Sequence, residues 1–227
     1  MAEQLTFDLP VRISRARGDF FVSDANAMAV ARLDNTSTWP NGKLVLVGPE
    51  GSGKTHLAHV WAEANGGLPV TNVGTLPVCD IPEIEGPVAI EVQDHLSMSA
   101  REEEAFFHFH NHMQAQQFPL LMIARTPPSQ WDIALPDLKS RMVATDIVQI
   151  DAPDDALLAA VMVKQFADRQ IVVAPNVISY LTSHMQRSFA EAERLVTELD
   201  KAALSEGRAV TRPLAQRVLD NGPKDRS

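Results

Sequence analysis

One cysteine, Cys79, is present in 227 residues. A lone thiol excludes an internal disulfide framework and a cysteine metal site. Basic residues are also scarce: 20 Lys and Arg stand against 29 Asp and Glu, for a formal charge of −9. That balance argues against strong direct DNA binding, since only a small local basic patch could supply it. No apolar run is long enough to span a bilayer. No basic segment followed by an apolar stretch marks a signal peptide. The expectation is a cytoplasmic protein with no membrane partner.

Hydrophobic residues make up 45% and charged residues 22% of the chain, ordinary values for a globular protein. The length supports one sizeable core, or a core with a small second lobe. Short apolar runs alternate with helical patterns through the first two thirds. Strands are expected at 42–48, 68–73, 86–92, 118–124 and 145–150. Helices are expected at 24–33, with Asp24 as the cap, at 54–65 and at 100–117. This alternation predicts a five-stranded parallel sheet covered on both faces, an α/β architecture. After "DAPDD", 151–155, only helical patterns follow, at 154–169, 175–185, 188–206 and 211–220. The expected organisation is an N-terminal peptide (1–12), an α/β core (13–152) and a small all-helical lobe (153–227).

The segment "GPEGSGKT", residues 48–55, satisfies G-x-x-x-x-G-K-[ST] in full. It follows a predicted strand and opens a predicted helix, the context in which the motif works. Gly48, Gly51 and Gly53 let the backbone turn so that its amides face an anion. The helix start adds partial positive charge. Lys54 reaches the β and γ phosphates, and Thr55 is a candidate Mg²⁺ ligand. The candidate nucleotide-binding residues run from Gly48 through Pro49, Glu50, Gly51, Ser52, Gly53, Lys54 and Thr55 to His56. ATP or ADP with Mg²⁺ is the expected ligand.

Three further stretches carry a resemblance: "FFVSDANAMAVARL" (20–33), "EEEAFFHFHN" (102–111) and "RTPPSQWDIALPDLKSRM" (125–142). With the phosphate loop they make the chain similar to the DnaA-related AAA+ family, and to its Hda regulators in their alphaproteobacterial form. The resemblance covers nearly the whole chain. It implies an AAA+ core followed by a helical lid. The initiators of this family also carry a C-terminal helix-turn-helix domain, for which this sequence leaves no room after the lid, so the resemblance points to a regulator. It also implies a clamp-docking peptide in "QLTFDL", 4–9, through Gln4, Leu5, Phe7 and Leu9. The partner would be the sliding clamp, the β subunit of DNA polymerase III. An extended peptide of this kind puts alternate side chains into an apolar pocket. Without that context the same residues would read as an extra strand or a disordered lead.

The second acidic strand of the family supplies one carboxylate to the Mg²⁺ shell and an adjacent one to orient water. In "VAIEVQDH", 88–95, Glu91 takes the first position and Val92 the second. Asp94 is displaced by two residues, unless a shifted register makes it the true acid. Arg125 stands where the family's sensor strand ends in polar residues. Ala190 stands where its lid carries a nucleotide-sensing arginine, and Arg194 comes closest by helical spacing. These departures predict weak or absent intrinsic hydrolysis. Arg141, in "LKSRM", matches the family's arginine finger. The resemblance then implies an activator: it binds nucleotide and a DNA-loaded clamp, and uses Arg141 in trans on the ATP held by DnaA, preventing re-initiation. A homo-oligomer is left open, as is whether Arg141 acts on DnaA or on a second copy of this chain.

Other signals are plainer. His108 and His112 share a helix face but lack a third metal ligand. Glu102, Glu103 and Glu104 read as a solvated first turn. Trp39, Trp61 and Trp131 read as packing residues. The competing functions are a self-sufficient helicase-loader-like ATPase acting on single-stranded DNA, and a scaffold that uses nucleotide only to fold. A P-loop kinase would leave the helical lobe and the Ser-Arg segment without a role.

Overall fold

The computed structural model describes residues 12–13, 21–72, 84–93 and 98–221. The chain forms two compact units. One comprises residues 26–151. The other comprises the residues from 152 onward with those before 26.

In the second unit, strand β1 (Arg12–Ile13) pairs antiparallel with β2 (Phe21–Val22). In the first unit, helix α1 (Ala27–Asp34) is followed by β3 (Lys43–Val47), α2 (Lys54–Ala64), β4 (Leu68–Asn72) and β5 (Val88–Glu91). Then come α3 (Ala100–Ala115), β6 (Leu120–Ala124), α4 (Pro136–Val143) and β7 (Ile147–Gln149). Strands β3 to β7 form one parallel sheet in the order β4-β5-β6-β3-β7. Strand β3 therefore lies between β6 and β7. Buried on both faces, it reads as the continuous apolar run "LVLV" after Lys43.

Alternation along the strands sorts the core. Val45, Val47, Ile90, Val92 and Met122 share one face with Phe106 and Phe109 of α3 and with Leu138 of α4. Helix α2 packs against β4, β5 and β6, and α1 against β7. Trp39 and Trp61 stack with ring centroids 5.2 Å apart. The Trp61 indole N–H donates to Thr36 Oγ1, that of Trp39 to the Arg32 carbonyl, and that of Trp131 to the Thr126 carbonyl. All three tryptophans are buried.

Two details differ from the sequence reading. Helix α1 starts at Ala27 with Asn26 at the cap position, not Asp24, and no side chain caps it. Helix α4 is an element that hydrophobic periodicity does not reveal. It has eight residues and only two buried side chains, Leu138 and Met142.

The second unit holds α5 (Asp155–Asp168), α6 (Pro175–His184), α7 (Phe189–Glu206) and α8 (Arg212–Asp220). Their apolar stripes meet in a core that includes Leu158, Phe166, Leu181, Leu195 and Leu214. Asp154 caps α5 through Leu157 N–H, and Ser188 caps α7 through Glu191 N–H. Gly207 ends α7 with φ 61°, a left-handed conformation that suits glycine. Strand β2 packs on α5. The segment expected with the α/β core thus groups with the helices instead.

Candidate functional site

The loop between β3 and α2 is anchored by the sheet. The Gly48 amide donates to the Ala124 carbonyl at the end of β6, at 3.3 Å. Gly51 and Gly53 have φ of 69° and 87°. Only glycine enters that region without strain, and alternation of handedness there turns successive amides toward one concavity. A Cβ on Gly48 would lie 2.7 Å from the Ile150 carbonyl oxygen and 3.0 Å from Ser52 Oγ. The Lys54 ammonium lies over the same loop, donating to the carbonyls of Gly48 (2.6 Å) and Pro49 (2.7 Å). Ser52 Oγ is buried without a protein partner. A loop turned by glycines, packed too closely against Ile150 to admit a side chain at Gly48, with a cation across it, fits a nucleotide's phosphates. Gly48→Ala should overpack the loop against Ile150 and displace it. Such strain costs about 1–3 kcal/mol, so nucleotide affinity should fall about ten-fold or more, read by titration with a fluorescent nucleotide.

Thr55 is exposed on the first turn of α2. Glu91 is the last residue of β5, exposed and in register with Ile123. Val92 turns the opposite way. It is 3% exposed and belongs to the core beneath α3. The two positions that carry acids in the resembling family therefore differ in environment as well as in chemistry. Asp94 lies outside the described residues, as do Gln4, Leu5, Phe7 and Leu9. Arg125 follows β6 directly. Its guanidinium lies 3.1 Å from the carboxylate of Glu50 in the phosphate loop, both groups well exposed.

In the helical unit, Ala190 is exposed in the first turn of α7. Arg194 is tied to its own helix. It makes two hydrogen bonds to Glu191, at 2.7 and 2.8 Å, and one to Glu198 at 2.7 Å. These bonds, those to Glu191 first, hold its pKa above the ordinary arginine value. Arg187 pairs with Asp155 at 3.1 Å.

Arg141 projects from the last turn of α4. Its guanidinium carbon lies 5.0 Å from the centroid of the Phe107 ring, a cation–π geometry. One guanidinium N–H reaches Gln114 Oε1 at 3.4 Å. The same oxygen accepts from Lys43 Nζ at 3.0 Å. Lys43 and His110 are both 3% exposed, and Lys43 Nζ lies 3.4 Å from His110 Nδ1. Burial, and then the Arg141 charge, push the Lys43 pKa down to about 8.

The triple glutamate is not a uniformly solvated turn. Glu102 completes a capping box with Ser99. Glu103, 3% exposed, accepts from the amides of Ala134 (2.8 Å) and Leu135 (2.7 Å) just before α4. Glu103→Gln would turn an amide N–H₂ toward one of those donors. Leaving a buried donor unsatisfied costs about 1–3 kcal/mol. The urea midpoint should fall accordingly, at unchanged m-value. His108 lies beside Glu104 at 3.9 Å, and His112 Nε2 is 3.1 Å from the Ile84 carbonyl.

Comparison with known proteins bears on the whole of this arrangement. Residues 154–219 match the family described as the Hda lid domain. The chromosomal replication initiator DnaA of Cutibacterium acnes is 26% identical over 215 residues, covering 86% of this chain and 42% of that protein. This chain thus spans under half the length of that relative. Domain III of Thermotoga maritima DnaA shares the fold with a TM-score of 0.75 at 17% identity, over 89% of this chain and 94% of that one. DnaA of Aquifex aeolicus, in a structure with bound AMPPCP, superposes with a TM-score of 0.67 at 17% identity, over 82% of this chain and 65% of that one. The lid match, the similarity to DnaA and the shared fold together support an Hda-like, DnaA-related AAA+ protein.

Proposed function

We propose that the protein regulates replication initiation by making DnaA hydrolyse its ATP. ADP or ATP with Mg²⁺ binds in the loop 48–55, with Thr55 and Glu91 as the metal-side residues. The peptide 4–9 docks on the β sliding clamp after it is loaded on DNA. Arg141 is then presented to the nucleotide of DnaA. A guanidinium placed against the γ-phosphate stabilises the charge that develops as the phosphoryl group leaves. The product is DnaA-ADP, which does not initiate.

One contrast carries this reading. The phosphate cradle is complete, whereas the positions that would complete hydrolysis in cis are committed elsewhere: Val92 to the core and Arg194 to Glu191 and Glu198. Arg141 remains half-exposed at a helix end. A protein built this way holds nucleotide and lends a cation.

The test is phosphate release from DnaA-ATP in the presence of clamp loaded on DNA. The wild-type protein should accelerate release, deletion of residues 1–9 should abolish the clamp-dependent part, and the protein alone should turn over little ATP. Rapid turnover by the protein alone, with no effect on DnaA, would identify an ATPase in its own right.

A further inference from the structure

Four residues of α3 contact groups that fix α4 or its arginine: Glu103, Phe107, His110 and Gln114. Their spacing places them on one helical stripe. At its N-terminal end Glu103 holds the amides of Ala134 and Leu135, and so sets where α4 begins. One turn on, the Phe107 ring lies under the Arg141 guanidinium. At the far end Gln114 receives Arg141 on the oxygen that Lys43 also binds, and His110 lies against Lys43.

The electrostatics of this cluster are unusual. Lys43, His110 and Arg141 converge with no carboxylate among the described residues bonded to either Lys43 or Arg141. A buried ammonium without an anionic partner is costly, and it persists only where its hydrogen bonds are made. Gln114 supplies the shorter of the two bonds seen here. The amide oxygen of Gln114 is thereby pinned by a buried donor, although the residue itself sits on the helix surface. The longer 3.4 Å bond to Arg141 then comes from a fixed acceptor. The positive charge behind it opposes any retreat of the guanidinium toward the sheet.

We infer that Lys43 and Gln114 are positioning residues for Arg141, holding its guanidinium outward and pre-oriented for the terminal phosphate of a partner-bound nucleoside triphosphate. The inference rests on the reading of Arg141 as a finger acting in trans. It adds that the finger's effectiveness depends on a hydrogen-bond relay, Lys43 to Gln114 and Arg141 to Gln114, rooted in the strand that leads into this chain's own phosphate loop.

The experiment measures stimulation of DnaA-ATP hydrolysis with clamp on DNA, separating the maximal rate from the concentration of this protein that gives half of it. The variants are Arg141→Ala, Gln114→Met, and Gln114→Met combined with Lys43→Met. Melting temperature and nucleotide affinity are recorded for each. Methionine keeps the length of both side chains and removes acceptor or charge. Gln114→Met should lower the maximal rate about ten- to a hundred-fold, as small misplacements of a reacting group do, with the half-maximal concentration unchanged. The double variant should regain the melting temperature lost by stranding Lys43, yet keep the lowered rate. The inference is overturned if Gln114→Met stimulates fully, or if the double variant recovers rate together with melting temperature, since Gln114 would then serve only as a hydrogen-bond acceptor for Lys43. Full stimulation by Arg141→Ala would remove the finger reading itself, and the inference with it.

Discussion

Arg141→Ala is expected to reduce stimulated phosphate release from DnaA-ATP by about 10³- to 10⁵-fold, the range that arginine fingers supply in phosphoryl transfer. The loss should fall on the maximal rate. Binding of this chain's own nucleotide should be unaffected, because Arg141 sits at the end of α4 against Phe107 and Gln114 and is not part of the loop 48–55. Stability should change little. The side chain is half-exposed, its bond to Gln114 is long and its remaining contact is the Phe107 face. An exposed cation–π contact contributes about 0.5–1 kcal/mol. Arg141→Lys is the sharper variant. It keeps the charge but cannot deliver the planar fork of donors that a phosphoryl group needs, so it should recover only a small part of the rate. Single-turnover release with excess regulator reads the effect without interference from product dissociation.

Acidification should destabilise the α/β unit through His110. Burial, followed by the charges of Lys43 and Arg141, pushes the His110 pKa down to about 3 from an ordinary 6.5, against a small opposing bond with Asn111. The folded state therefore refuses a proton that the unfolded state accepts. As pH falls below 6.5 the unfolded state binds more protons, and stability drops by about 1.4 kcal/mol per pH unit until pH 3. The full loss is on the order of 5 kcal/mol, against a typical domain stability of about 5–15 kcal/mol. Lys43 acts in the alkaline range with the same sign. Its folded pKa near 8 lies below the ordinary 10.5, so stability should rise with pH between those values. Urea unfolding at pH 7, 5.5 and 4 tests the acid limb. His110→Gln, which keeps an acceptor for Lys43 and does not titrate, should flatten it. An unchanged slope in that variant would assign the acid sensitivity to carboxylates elsewhere.

Much of the fold was legible because two periodicities differ. The apolar runs at 44–47, 88–90 and 120–124 are continuous, as doubly covered parallel strands require, and each lies within its expected window. The phosphate loop was legible because glycine, lysine and threonine positions are dictated by backbone geometry. The misses have equally physical causes. Helix α4 is short and mostly polar, and Pro136 in its first turn was its one local signal. Glu103 was hidden by its acidic neighbours, although it lies on the helical phase of Phe106, His110 and Met113, all buried. Lys43 looked like the polar start of a strand. Nothing in its neighbours along the chain announces that Gln114 and His110, 71 and 67 residues away, enclose it. The clamp peptide stays a sequence expectation, because it lies outside the described residues.

The packing of Val92 limits what a single substitution can recover. Val92 shares one core with Phe106, Phe109 and Met122. Val92→Glu would not restore a hydrolase. It would push an unpaired carboxylate against aromatic and sulfur-bearing side chains, at a cost of several kcal/mol. Placing an acid at this position would require reshaping the underside of α3 at the same time.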